Sequence, residues 1–155
     1  MDIIGATLVL LATDAFQRYQ TATGSVLDEQ TGLLSITSEQ FSKLESLFFT
    51  VNNVCILSWT SNVALWHCYS YLFCFDQAQF ELTANAQIWP RALNSEIDGV
   101  SGNIYLIVGD LGSPSGEGLD FTLGMTFLQR FYSVYDSGNQ QVGLACTHFT
   151  FANTN

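Results

Sequence analysis

Positive charge is the scarcest feature of this 155-residue chain, where 4 Lys and Arg stand against 14 Asp and Glu for a net charge of −10. Arg18, Lys43, Arg91 and Arg130 are scattered rather than clustered. A phosphate-binding surface needs a basic patch, so nucleic acid is excluded as the expected partner. Charged residues of both signs make up only 12% of the chain, about half the usual share. No Lys or Arg precedes the apolar run Ile3–Ala12, only Asp2. A secretory leader needs a basic start, so the run reads as a buried strand instead. No Asn-x-Ser/Thr acceptor occurs, so glycosylation gives no sign of secretion. Cys55, Cys68 and Cys74 lack paired CxxC spacing and zinc-pattern His partners, which argues against a metal site. No metal and no cofactor is expected. Internal repeats and heptads are also missing.

What is present is apolar. Hydrophobic residues are 48% and aromatic residues 14% of the chain, enough for one packed domain with a real core. Composition shifts abruptly over Cys55–Ala78, which holds three of the four Cys, two of the three Trp and a single charge, Asp76. The flanks resemble each other. Leu47–Val51 is apolar and β-prone, and Phe80–Thr83 alternates apolar and polar. Asn52-Asn53 between such runs suits a hairpin turn, so residues 55–78 read as an insertion at a hairpin tip. Three origins compete: a functional lid or docking loop, a membrane span, and a translated intron. A span needs about 20 apolar residues, but Asn62, His67 and several Ser interrupt this one and no basic flank orients it. No membrane is expected. The intron is favoured, since Val54-Cys55 and Gln79 are compatible with splice-site codons.

Outside that segment, short β-prone stretches alternate with turn chemistry. Thr13-Asp14 can cap a short helix carrying Phe16 and Tyr19, with Thr23-Gly24 ending it. Asp28–Gly32 reads as a turn and Leu33–Ile36 as a strand. Thr37-Ser38-Glu39-Gln40 carries a capping box and predicts a helical turn with Phe41, Leu44 and Leu47 on one face. Ala86–Trp89 and Asn103–Val108 are strand candidates, and Asp110–Gly118 a surface loop. Phe131–Tyr135 and Val142–Ala145 flank a turn at Asp136–Gln140, which predicts a second hairpin. The class is mainly β with two or three short helices.

Gly124-Met125-Thr126-Phe127-Leu128, then Tyr132-Ser133-Val134-Tyr135-Asp136, a turn, and Val142-Gly143-Leu144-Ala145 resemble the closing segment of pepsin-like aspartic proteases. In that family a Leu-Gly, here Leu123-Gly124, precedes a short helix and a hairpin of this pattern. Phe48–Asn53 resembles the hairpin in the middle of the C-terminal lobe. Gly5-Ala6-Thr7-Leu8-Val9-Leu10 resembles the stretch immediately after that lobe's catalytic Asp-Thr/Ser-Gly. The resemblance covers nearly the whole chain except the insertion, with fungal secreted members closest in style. It implies a single C-terminal lobe, residues 1–155, of the bilobal acid protease fold, in a family that is secreted or vacuolar.

The resemblance also implies a lost activity. Family members hold one Asp per lobe, and two adjacent carboxylates share a proton to act as general acid and base. Aligned on Gly5 and Thr7, Ile3 stands at the catalytic Asp, Ile4 at the Thr or Ser beside it, and Ala6 at the hydroxyl residue that would bond the Asp. Asp2 is one residue early, and neighbours in an extended strand point to opposite faces. Asp136-Ser137-Gly138 spells the tripeptide but reads as the polar turn of the last hairpin. The expectation is an aspartic endopeptidase lobe, truncated and catalytically incompetent as written. A peptide or protein substrate would be handled only with an N-terminal lobe. The alternatives are a pseudopeptidase acting as a peptide- or protein-binding module, and a homodimeric protease of retroviral type, which Ile3 disfavours.

Overall fold

The computed structural model of the chain describes residues 6–57, 72–139 and 141–153, with side chains described outside 52–57, 72–78 and 141. Strand β1, Val9–Leu11, is the centre of a three-stranded sheet. It pairs in parallel with β7, Val108–Asp110, and antiparallel with β8, Phe121–Leu123. Covered on both faces, β1 reads as an unbroken apolar run instead of an alternating one. Of the predicted strand, residues 3–12, only Val9–Leu11 join the ladder: Thr7 and Leu8 form a bend, and residues 3–5 lie outside the described residues.

Helix α1, Thr13–Thr23, begins at once after β1 and ends at Gly24 in the left-handed conformation, φ 65°. The expected Thr13 cap is not formed. Thr13 is already inside the helix, and its Oγ1 donates to Asp110 Oδ1 at 2.7 Å across the sheet end. Phe16 and Tyr19 pack against both apolar clusters of the domain. The Tyr19 hydroxyl donates to Gln87 Oε1 at 2.9 Å, and burial drives its pKa well above the ordinary phenol value.

A second sheet holds β2 (Val26–Leu27), β3 (Leu34–Ile36) and β6 (Ile104–Leu106) in that order. Helix α2, Ser38–Ser42, starts on the predicted capping box: Thr37 Oγ1 accepts from Gln40 N–H at 3.2 Å, and Gln40 Oε1 from Thr37 N–H at 2.7 Å. Phe41 and Leu44 pack as expected, but Leu47 belongs to the next strand, because the helix ends at Ser42.

Two of the strand candidates are resolved differently. Ala84–Gln87 is a short 3₁₀ helix, capped by Thr83, and only Ile88 bridges to Leu106. Gln87 is fully buried, its Nε2 donating to Glu45 O and Leu82 O, so this stretch spends its bonds on a polar plug instead of a ladder. Asn103–Val108 is two strands, not one. Ile107 N–H donates to Gln87 O while Ile107 O accepts from Val9 N–H, and the chain passes there from the β3 ladder to the β1 ladder.

The third sheet has the order β5 (Leu72–Leu82), β4 (Leu47–Leu57), β10 (Gln141–Cys146), β9 (Phe131–Asp136). Strands β4 (Leu47–Leu57) and β5 (Leu72–Leu82) form one antiparallel ladder from Leu47↔Leu82 to Leu57↔Leu72. Asn52 and Asn53 therefore continue a strand and are not a turn. Residues 58–71, the centre of the proposed insertion, lie outside the described residues. Strands β9 (Phe131–Asp136) and β10 (Gln141–Cys146) form the expected terminal hairpin, and β10 also pairs in parallel with β4 at Gly143↔Cys55 and Leu144↔Ile56.

The main core lies between these layers. Phe127 stacks on Phe131 at 4.5 Å between centroids and meets Phe49 edge-on at 5.6 Å, while Phe80 meets Phe131 edge-on at 5.7 Å. Offset and edge-to-face geometries of this kind add to the burial itself. Among the described residues no helix is long and apolar enough to cross a membrane.

Candidate active-site loop

The segment leading into β1 is where the resemblance places catalysis. Its described part, Ala6–Leu8, is held by the start of helix α3, Met125–Leu128. Met125 N–H donates to Ala6 O at 2.9 Å and Thr126 N–H to Thr7 O at 3.0 Å. The Thr126 hydroxyl donates to the same Thr7 oxygen at 2.8 Å. Three bonds thus fix two consecutive carbonyls.

Gly124 makes that approach possible. A Cβ built there would lie 2.3 Å from Leu8 O, 2.6 Å from Ala6 O and 2.9 Å from the Thr7 carbonyl carbon. All three contacts are backbone atoms, which cannot rotate aside. The requirement is for lack of bulk, not for unusual dihedrals, since φ at Gly124 is −78°. Leu123, fully buried, precedes it and pairs with Val9, so the Leu-Gly pair sets strand register and close approach together.

The structure therefore brings Ala6, Thr7, Leu123 and Gly124 together. Asp2, Ile3 and Gly5 lie outside the described residues. Thr126 was not singled out from the sequence as a site residue, although it clamps the loop. A hydroxyl residue two positions after the Leu-Gly was the available signal. Ala6 joins the clamp through its backbone alone, with a methyl group where a hydroxyl is expected.

The described carboxylates sit elsewhere. Asp110 pairs with Leu11, at the opposite end of β1 from the clamp. Asp14 accepts from Ser115 N–H at 2.9 Å and pairs with Arg18 at 3.0 Å. Asp136 accepts from Asn139 N–H at 3.1 Å, so Asp136-Ser137-Gly138 is part of the terminal hairpin's turn. Among the described residues no three His, Cys, Asp or Glu side chains converge to hold a metal ion. Cys146 is free and exposed.

A parallel-and-antiparallel paired central strand, preceded by a clamped loop and joined across the sheet by Leu-Gly and a short helix, is a scaffold for presenting a loop residue at a sheet end. The model of the eukaryotic aspartyl protease family matches residues 2–147, and the chain belongs to that family. Polyporopepsin of Irpex lacteus is 52% identical to it over 151 residues, an alignment covering 97% of this chain and 37% of that protein. A crystal structure of an aspartic proteinase from Irpex lacteus superimposes with a TM-score of 0.79 at 52% identity, over 97% of this chain and 37% of that one. The fold is thus that of an aspartic proteinase. The chain spans just over a third of the length of the relative it matches.

Proposed function

We propose that this chain is one lobe of an aspartic endopeptidase that does not hydrolyse peptides by itself. The observation that carries this reading is the contrast within a few residues of sequence. The backbone clamp of Gly124, Met125 and Thr126 on Ala6 and Thr7 is formed, while the family resemblance puts Ile3, Ile4 and Ala6 where the acid and its hydroxyl partners belong. An aliphatic side chain can neither accept nor deliver the proton that a paired carboxylate shares. Loss of an essential catalytic group costs on the order of 10⁴ to 10⁶ in rate.

A peptide cleft would need a second lobe with its own Asp, and a peptide or protein is the substrate class. The direct test is cleavage of a protein substrate in acid by the purified chain, with a transition-state-mimicking inhibitor as control. No inhibitor-sensitive turnover is expected. Turnover that the inhibitor blocks and that disappears in Asp2→Asn would make Asp2 the working acid and sink the proposal.

The retained clamp also favours a second reading, a pseudopeptidase that binds peptides without cutting them. Saturable peptide binding that survives deletion of residues 55–78 would select it. We further read 55–78 as an insertion on the β4–β5 hairpin encoded by a retained intron, for which genomic sequence across both ends is the check.

A further inference from the structure

The loop joining β7 to β8 crosses the far end of β1 and the start of α1. Its two ends are held by backbone bonds: Leu111 N–H donates to Leu11 O at 2.8 Å, and Ala12 N–H to Asp120 O at 2.8 Å. Between those anchors the bonding changes character. Gly112 N–H donates to Asp110 Oδ1 at 2.9 Å, Ser115 N–H to Asp14 Oδ1 at 2.9 Å, and Gly116 N–H to Asp120 Oδ1 at 2.6 Å. A single backbone bond, Thr13 N–H to Ser113 O at 2.9 Å, supplements them. Residues 114–118 are exposed, so their side chains add little packing. Asp110 and Asp120 belong to the loop's own ends. Beyond the Thr13–Ser113 backbone bond at the loop's near side, the tip at Ser115 is tied to α1 through the Asp14 side chain.

We infer that residues 112–118 form a strap that the ionised Asp14 carboxylate closes over the start of α1 and that acid releases. An amide bond to a carboxylate is roughly twice as strong as one to a neutral acceptor. Protonating Asp14 therefore weakens the tie that holds the tip, while the backbone-to-backbone bonds of Leu111, Ala12 and Thr13, in which no titrating atom takes part, stay in place. The strap opens about fixed ends.

Arg18, on the same helix, pairs with Asp14 at 3.0 Å, and the other charged residues of the neighbouring elements are Asp110 at the end of β7 and Glu117 and Asp120 in the loop and at its end, while β1 carries none. The Ser115 amide, then its hydroxyl, and to a lesser degree Arg18 hold the Asp14 carboxyl below its ordinary value. A depressed folded value means closure is complete above the ordinary carboxylate range of about 3.9 and is lost as pH falls through the lower folded value. This lies at the opposite end of β1 from the clamped loop, so it is readable without any enzymatic activity.

Amide hydrogen exchange of the full chain tests it, expressed as protection factors at about pH 6 and about pH 2.5, on either side of the carboxylate range. Protection of the Ser115 amide should be lost in acid, with Leu111 and Ala12 unchanged. Asp14→Asn, which keeps an acceptor but no charge, should show the low protection at both pH values and no pH dependence. Three results would overturn the strap: Ser115 protection that ignores pH, protection in Asp14→Asn that still falls in acid, or loss at Leu111 and Ala12 in step with Ser115, which is general unfolding.

Discussion

Replacing Gly124 with Ala adds one methyl group at the point where the chain can least accept it. The new carbon would sit 2.3 Å from Leu8 O and 2.6 Å from Ala6 O, against a comfortable carbon–oxygen separation of about 3.3 Å. Relief requires the α3 start and the loop ahead of β1 to part by roughly 1 Å, on the same comparison. That movement breaks or stretches Met125 N–H to Ala6 O, Thr126 N–H to Thr7 O and the Thr126 hydroxyl bond. Overpacking costs about 1–3 kcal/mol, and each bond about 0.5–1.5 kcal/mol. The loss should be about 4 kcal/mol, a large share of the ~5–15 kcal/mol that keeps a domain folded. Urea unfolding at neutral pH reads it as a midpoint lowered by about 2 M. Gly138→Ala is the control, because its Cβ would lie 3.4 Å from the movable Asp136 Oδ1, and it should stay within about 0.5 kcal/mol. Thr126→Val keeps the shape and removes one bond, for about 1 kcal/mol. A Gly124→Ala midpoint within the scatter of Gly138→Ala would refute the argument from close approach.

The aromatic core and the C-terminal anchor give two further tests. Phe127 is fully buried between Phe49 and Phe131, so Phe127→Ala should cost about 3–5 kcal/mol in the same urea assay, and a cost under about 1 kcal/mol would show that this layer is not packed as described. Arg130 is buried, its pKa lowered by desolvation, and its Nη1 donates to Phe149 O at 3.1 Å and Ala152 O at 3.2 Å. Arg130→Met should free the segment after Cys146 for limited proteolysis while leaving the terminal hairpin intact, read by mass spectrometry of the products. An uncut tail would mean that Thr147 and Thr150, which both donate to Arg130 O, suffice without the guanidinium.

Local chemistry was legible wherever a structure closes within a few residues. The capping box at Thr37–Gln40, the pairing of β9 with β10 after a turn that begins at Asp136, and the Gly24 helix end all form as the sequence predicts. Each is set by side-chain-to-backbone bonds or dihedrals that neighbours in the chain supply. The family resemblance was legible for a related reason, since Leu123-Gly124 and the hairpin pattern sit together in sequence.

What escaped the sequence depends on partners far along the chain. Thr13 looks like a cap, but the sheet brings Asp110 to its hydroxyl from 97 residues away. Ala86–Trp89 looks like a strand until Gln87 is seen buried on Glu45 and Leu82. Asn52-Asn53 looks like a turn, yet β5 pairs straight past it. In each case the local preference is worth about 1 kcal/mol or less, and long-range pairing and burial exceed it. By itself, then, the sequence determined the family and the mainly β class. Only the tertiary structure decided that Gly124 must have no side chain and that Thr126 clamps the loop, because both depend on backbone atoms distant in sequence, 119 residues apart for Thr126 and Thr7, coming within bonding distance.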